Sequence, residues 1–263
     1  MKTLMSLSSG LFAGGLLVCM TLSIATAQHP DFRIETDILF GDETAPAKQT
    51  LTLFSEGVYY DFSVDDPTAI TMIDPQRNRI VLLDAKRNIQ TVLDTNEMSK
   101  YVESAKQQSN SPDLQLLLKA SEQFSFDEQT GKCMVGIPQM QYIATSQQPA
   151  DKRFASQIAT QYADFANWSA RLNAVYPPQR PPYVRMRLND ELANRGLLPA
   201  EIEITTKPIS GKPMIARCRL LAIWKLSSDD HAKIRSVGEK LAQFNKLEPT
   251  RYFAEQLTLN SSR

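Results

Sequence analysis

From Ile70 to Asp94 the chain reads ITMIDPQRNR, IVLLDAKRNI, QTVLD, and each apolar run ends in an aspartate: Asp74, Asp84 and Asp94. Short β-branched and aliphatic runs punctuated by turn residues on a ten-residue beat predict antiparallel strands joined by tight turns. In Asp74-Pro75-Gln76-Arg77-Asn78 the aspartate can accept a hydrogen bond from its own turn. Proline presets φ there, and asparagine tolerates the left-handed conformation that finishes the loop. Asp84-Ala85-Lys86-Arg87-Asn88 repeats the recipe without proline. Asp94-Thr95-Asn96-Glu97 has the spacing of a capping box, so the third aspartate is expected to start a helix. A calcium loop gathers several oxygen ligands in one short segment, whereas each of these turns offers one carboxylate, two of them beside basic residues. The acids therefore read as turn and cap residues.

Upstream of that stretch, Phe32, Ile34, Thr36, Ile38 and Phe40 alternate with mostly polar residues, the period of a half-buried strand. Gln49 to Phe54 and Val58 to Val64 predict two further strands. Downstream, a helical pattern runs to about Gln108, and Ser111-Pro112 opens a second helix with the stripe Leu114, Leu117, Leu118. Strand texture returns at Phe124 to Phe126 and at Cys133 to Thr145, where Pro138 suggests an edge or a bulge. Phe154, Ile158, Tyr162, Phe165 and Leu172 mark a long helix. The proline-rich segment 177–182 is the natural place for a subdomain boundary. Val184, Leu188 and Leu192 suit a helix ended by Gly196, although the alternation Val184, Met186, Leu188 also suits a strand. Glu201 to Thr206 and Met214 to Leu226 form a hairpin pattern around Ser210-Gly211. Ser227 to Asp230 then caps a helix carrying Ile234, Val237, Leu241 and Phe244, and the polar tail after Leu257 reads as loose. The fold class that results is α+β: an antiparallel, strongly curved sheet or half-open β-barrel with inserted covering helices and a C-terminal helix.

The first 27 residues carry Lys2, an apolar run from Leu11 to Ile24 and the small residues Ala25-Thr26-Ala27, the signature of a cleaved export signal. Residues 28–263 are then one exported α+β domain, periplasmic or extracellular, without a transmembrane span. Charge is balanced overall but uneven. Gln28 to Lys100 holds 13 acidic and 7 basic residues, against 16 and 21 from Tyr101 to Arg263. With no polybasic tract, nucleic-acid binding finds no support. Cys133 and Cys218 remain after cleavage, and export leaves two readings open, a disulfide or two buried free thiols.

Catalytic patterns are absent from the sequence. Its two histidines, His29 and His231, assemble no triad or metal site, and no glycine-rich phosphate loop, nucleophile elbow or CxxC occurs. No cofactor is implied, and a non-enzymatic role is expected.

The strand and turn pattern Ile70 to Asp74, Arg79 to Asp84, Ile89 to Leu93 resembles the mid-barrel hairpins of the periplasmic lipoprotein carrier and receptor superfamily, the LolA/LolB-like fold. That resemblance implies a half-open barrel with a helical lid and an apolar cavity that takes acyl chains, with a lipid or an acylated protein as partner. No ligand contact carries over by position. The inward face of the meander, including Leu51, Leu53, Tyr60, Phe62, Met72 and Leu82, is the expected cavity lining; the alternative is that these side chains fill a closed core. Two other functional readings stand beside apolar-ligand binding: an extracytoplasmic scaffold with a filled core, and a hydrolase whose carboxylates meet only on folding.

Overall fold

The computed structural model describes residues 29–108, 111–175, 181–207 and 213–260, with the side chains of 108, 113 and 256–260 excepted. The expected export signal, the Ser210-Gly211 turn and much of the proline-rich segment lie outside these residues. Six strands form the expected meander: β1 (Phe32–Phe40), β2 (Lys48–Ser55), β3 (Val58–Ser63), β4 (Ala69–Asp74), β5 (Arg79–Asp84) and β6 (Ile89–Asp94). Each pairs antiparallel with the next.

The three aspartates do what turn chemistry requires. The Asp74 carboxylate accepts the backbone N–H of Arg77 at 3.3 Å across a 3-10 turn opened by Pro75, and Asn78 closes it at φ 50. Asp84 accepts the N–H of Arg87 at 3.0 Å, with Asn88 at φ 53. Asp94 takes the N–H groups of Asn96 at 2.7 Å and Glu97 at 3.0 Å, starting α1 (Thr95–Gln108). Asp74 is buried, and its charge is met by Arg77 and by both Nε and Nη2 of Arg79.

After α1 come α2 (Pro112–Glu122), β7 (Phe124–Asp127), β8 (Lys132–Ile137), β9 (Met140–Gln147), α3 (Ala155–Val175) and α4 (Tyr183–Ala193). The chain then makes β10 (Leu198–Thr206), β11 (Met214–Ile223), α5 (Ser228–Gln243), β12 (Asn245–Lys246) and α6 (Pro249–Asn260). Among the described residues twelve strands form one open sheet in the order β12-β6-β5-β4-β3-β2-β1-β11-β10-β9-β8-β7. Among the described residues only the β12–β6 pairing is parallel. The junction is β1 with β11, where Ile38 lies opposite Cys218, so the early meander and the late hairpins share one curved sheet.

Local detail departs from the sequence reading at the turn around Pro138. Pro138 breaks no strand: Ile137 pairs with Met140, so Pro138 and Gln139 form the turn between β8 and β9, where a missing N–H costs no ladder bond. Gly136 beside it has φ 128, and any Cβ there would run into the Met140 carbonyl. Residues 183–193 are helical, and Gly196 at φ 67 ends them: the Leu197 N–H reaches the Leu192 carbonyl and the Gly196 N–H that of Ala193, the two bonds of a Schellman motif. Helix α6 packs Tyr252 into the core and runs through Asn260, so the tail is helical as far as that residue, and 261–263 lie outside the described residues.

Period-two alternation sends the strands' side chains to two different neighbours. On the inner face, Phe32, Phe54, Tyr59, Ile73 and Ile80 pack with Ile158 and Tyr162 of α3 and Leu188 and Leu192 of α4. On the outer face, Ile70, Met72, Val81 and Leu83 meet Val237 of α5 and Phe244 at its C-cap. Both ends of α5 are fastened. At its start Ser227 and Asp230 form a reciprocal capping box, and Arg33 of β1 reaches the buried Asp230 at 3.2 Å. At its end the buried Gln90 amide of β6 donates to the carbonyls of Leu241 at 3.0 Å and Phe244 at 2.8 Å.

Candidate functional site

The six side chains expected to line a cavity do not face one space. Leu53 lies opposite Tyr60, Leu51 opposite Phe62, and Tyr60 opposite Met72, so these five share a face. That face is the outer one, where Met72, Tyr60 and Phe62 belong to the cluster under α5. Leu82 lies opposite Thr71 and belongs to the inner cluster. The cause is the four-residue turn between the paired Asp74 and Arg79, which places Met72 opposite Val81 and so turns Leu82 of β5 to the inner face.

Helices α1, α2, α3 and α4 cover the inner face, and between them lies a pocket of about 330 Å³. Its apolar wall is Val102 and Ala105 of α1, Leu114 and Leu117 of α2, and Ala174 of α3. Pro181, Pro182 and Tyr183 at the start of α4 close one side, with Tyr101 and Ser111 completing the lining. The same stripe logic that buries Met98 and Val102 of α1 leaves Tyr101 at 55% exposure. Tyr183 donates its hydroxyl to the Val102 carbonyl at 3.0 Å, and the Lys106 ammonium lies 6.0 Å from the centre of its ring. Burial, with Glu103 nearby, pushes the Tyr183 phenol up. Among the described residues the lining holds no nucleophile and base in contact; the chemistry it offers is an apolar wall and a polar rim. The apolar stripe Leu114, Leu117, Leu118 was the sequence signal for it.

Polar groups on the inner face are few and specific. The Tyr59 hydroxyl donates to Asp164 of α3 at 3.0 Å, and burial holds that carboxyl above its usual range. Arg171 stacks 4.7 Å from the centre of the Trp168 ring, and burial lowers its guanidinium. Asp61 accepts the Thr52 hydroxyl at 2.7 Å and is likewise raised by burial. Asp61 feels Lys48 and Asp164 feels Arg171, but neither acts on the other, so they are not a pair sharing a proton. Arg185 of α4 donates from Nη2 to the Tyr162 hydroxyl at 2.9 Å. Asn167, within a glycosylation-like Asn-Trp-Ser, is engaged by Asp190 at 2.8 Å and Asn189 at 2.9 Å inside the α3–α4 contact.

The cysteines are not bonded. Register places Cys133 beside Ala144, Ala144 beside Ile202 and Ile202 beside Cys218, three strand spacings in one row. At ~4.8 Å per strand that is roughly 14 Å, about twice the reach of a disulfide. Both thiols are free; Cys133 is fully buried, and burial pushes it up to about 11.

A second hollow of about 410 Å³ opens on the outer face beyond α5, lined by Glu35, Asp37, Gln49, Glu201 and Arg219 among others. Its side chains answer one another: Gln49 donates to Asp37 at 2.7 Å, and Arg219 stands 3.8 Å from Glu201. That pattern is a solvated sheet face. His231 is exposed in the first turn of α5, and the described residues contain no cluster of three or more His, Cys, Asp or Glu able to hold a metal ion. Among the described residues no helix is long and apolar enough to cross a membrane. No family model matches the chain, and no curated protein matches it.

Proposed function

We propose that this chain is an exported, non-enzymatic protein that binds an apolar chain, of a lipid or an acylated protein, between the helices covering the inner face of its sheet. The observation that carries the reading is the pocket of about 330 Å³ walled by Val102, Ala105, Leu114 and Leu117, at the small end of the range for ligand sites. An open sheet covered by helices also suits the half-open, lidded barrel to which the meander bears resemblance.

Displacement of a fluorescent acyl probe tests it. Wild-type protein should bind the probe, and Leu117→Trp, which fills the pocket, should weaken binding at least about tenfold while leaving the circular dichroism spectrum unchanged. Equal binding by both proteins would move the ligand elsewhere, and no binding by the folded wild type would end the proposal. A scaffold role is the second reading, favoured by Leu221 at 59% and Ile215 at 38% exposure on the uncovered part of the outer face. Crosslinking in the native envelope separates the two, since a scaffold yields a reproducible protein partner and a carrier of free lipid does not.

A further inference from the structure

The pocket between α1, α2, α3 and α4 has a direction. The exposed Tyr101 and Ser111 mark its mouth, and the buried Val102 and Pro182 its floor. That floor is fixed, because the Tyr183 hydroxyl ties the start of α4 to the Val102 carbonyl of α1 at 3.0 Å. Pro181 and Pro182 bring no backbone N–H to it, so an apolar group lodged there strands no donor of theirs. None of the described residues that line the pocket carries a charge, and a charged head drawn to the floor would go unmatched.

The space exists because two wall residues are small. On α3, Ala159, Ala163, Ala166, Ala170 and Ala174 recur at three- and four-residue spacing, which is one face of the helix. The first three are buried, and the last borders the pocket. On α1, Met98, Val102 and Ala105 share a stripe, and the side chain shrinks as the stripe reaches the pocket. A dry cavity of ~150 Å³ accommodates benzene, roughly 25 Å³ per carbon. At that rate the pocket of about 330 Å³ holds about thirteen carbons, which is one straight chain and not two.

We infer that the pocket takes a single alkyl chain of about a dozen carbons, methyl end against Val102 and Pro182 and head group in water beyond Tyr101 and Ser111, and that Ala105 and Ala174 set its length. This inference rests on the apolar-chain reading and gives that chain its number, direction and size. Straight-chain alkanoates from octanoate to hexadecanoate, each competed against the acyl probe below its micelle concentration, read the length. On wild-type protein affinity should rise about threefold to fourfold per methylene up to about thirteen carbons and then level off. Ala174→Leu and Ala105→Leu each add three carbons to the wall and should move that break about three carbons shorter. Leu114→Ala removes three from the opposite wall and should move it about three carbons longer. Ala174→Ser, nearly the same size, should leave it in place. Calorimetry should count one dodecanoate per protein.

An affinity that climbs unbroken through hexadecanoate, a break that stays put in both leucine variants, or two dodecanoates per protein overturns the inference while the apolar-chain reading stands. If no alkanoate displaces the probe, the apolar-chain reading falls and the length assignment with it. Should neither leucine variant fold by circular dichroism, Leu114→Ala decides, and a break that fails to lengthen overturns the inference.

Discussion

Replacing Asp74 by alanine tests whether the aspartate beat builds the fold. The carboxylate is 1% exposed and receives four N–H groups: the backbone of Arg77, the Arg77 side chain, and two from Arg79. The backbone bond that closes the 3-10 turn contributes about 1 kcal/mol. The Arg77 side chain is 66% exposed and regains water when the acid is removed, so its contribution is near zero. Arg79, at 36% exposure with two-point contact, adds about 1 to 2 kcal/mol after the same discount. Asp74→Ala should thus lose about 2 to 3 kcal/mol, or about 4 to 12 °C in Tm for a chain of this size. Asp94→Ala, which loses an exposed helix cap, should lose about 1 kcal/mol. Urea unfolding followed by circular dichroism and tryptophan fluorescence reads both, with an unchanged slope as the sign that only stability moved. The reasoning is refuted if Asp74→Ala costs less than Asp94→Ala, or if it abolishes ligand binding at full stability, which would make the acids a site after all.

Gln90→Leu keeps the side chain's bulk but strands the carbonyls of Leu241 and Phe244, so α5 should loosen at a cost of about 2 to 4 kcal/mol, seen as faster amide exchange in 241–247. The Asp164 carboxyl is raised by burial, so its full contribution to stability is present only below its unfolded value near about pH 4 and is lost as pH rises through the folded value. Asp164→Asn should therefore gain stability over wild type as pH climbs from 3 to 7, and a difference that shrinks with rising pH would contradict the burial argument. Under native conditions Cys218 should react with maleimide and Cys133 only on unfolding, and peptide mapping that found the two joined would overturn the strand register.

What the sequence displays are features closed within a few residues. Asp74 with Arg77, Ser227 with Asp230, and Gly196 with Ala193 are each complete inside one turn, so residue types alone announce them. The hairpin of β10 and β11 belongs to the same class. Facing is another matter. Met72 and Leu82 are ten residues apart and look alike, yet a turn of four residues puts one under α5 and the other under the inner helices. Contacts between distant segments left no local trace either: Arg33 with Asp230 is separated by 197 residues, and β1 meets β11 only after the whole chain is laid down. Cys133 and Cys218 read alike in sequence, and only the strand order shows them in one row three strands apart. Of the pocket, the leucine stripe of α2 was visible, but Tyr183 and Ala174 reach it through helix packing that no spacing encodes.

Mass spectrometry of lipid extracted from protein purified out of its native source tests the proposed function most directly. The account predicts an acyl-chain compound at close to one per protein, depleted in Leu117→Trp. An extract from folded protein that matches the denatured control would contradict it.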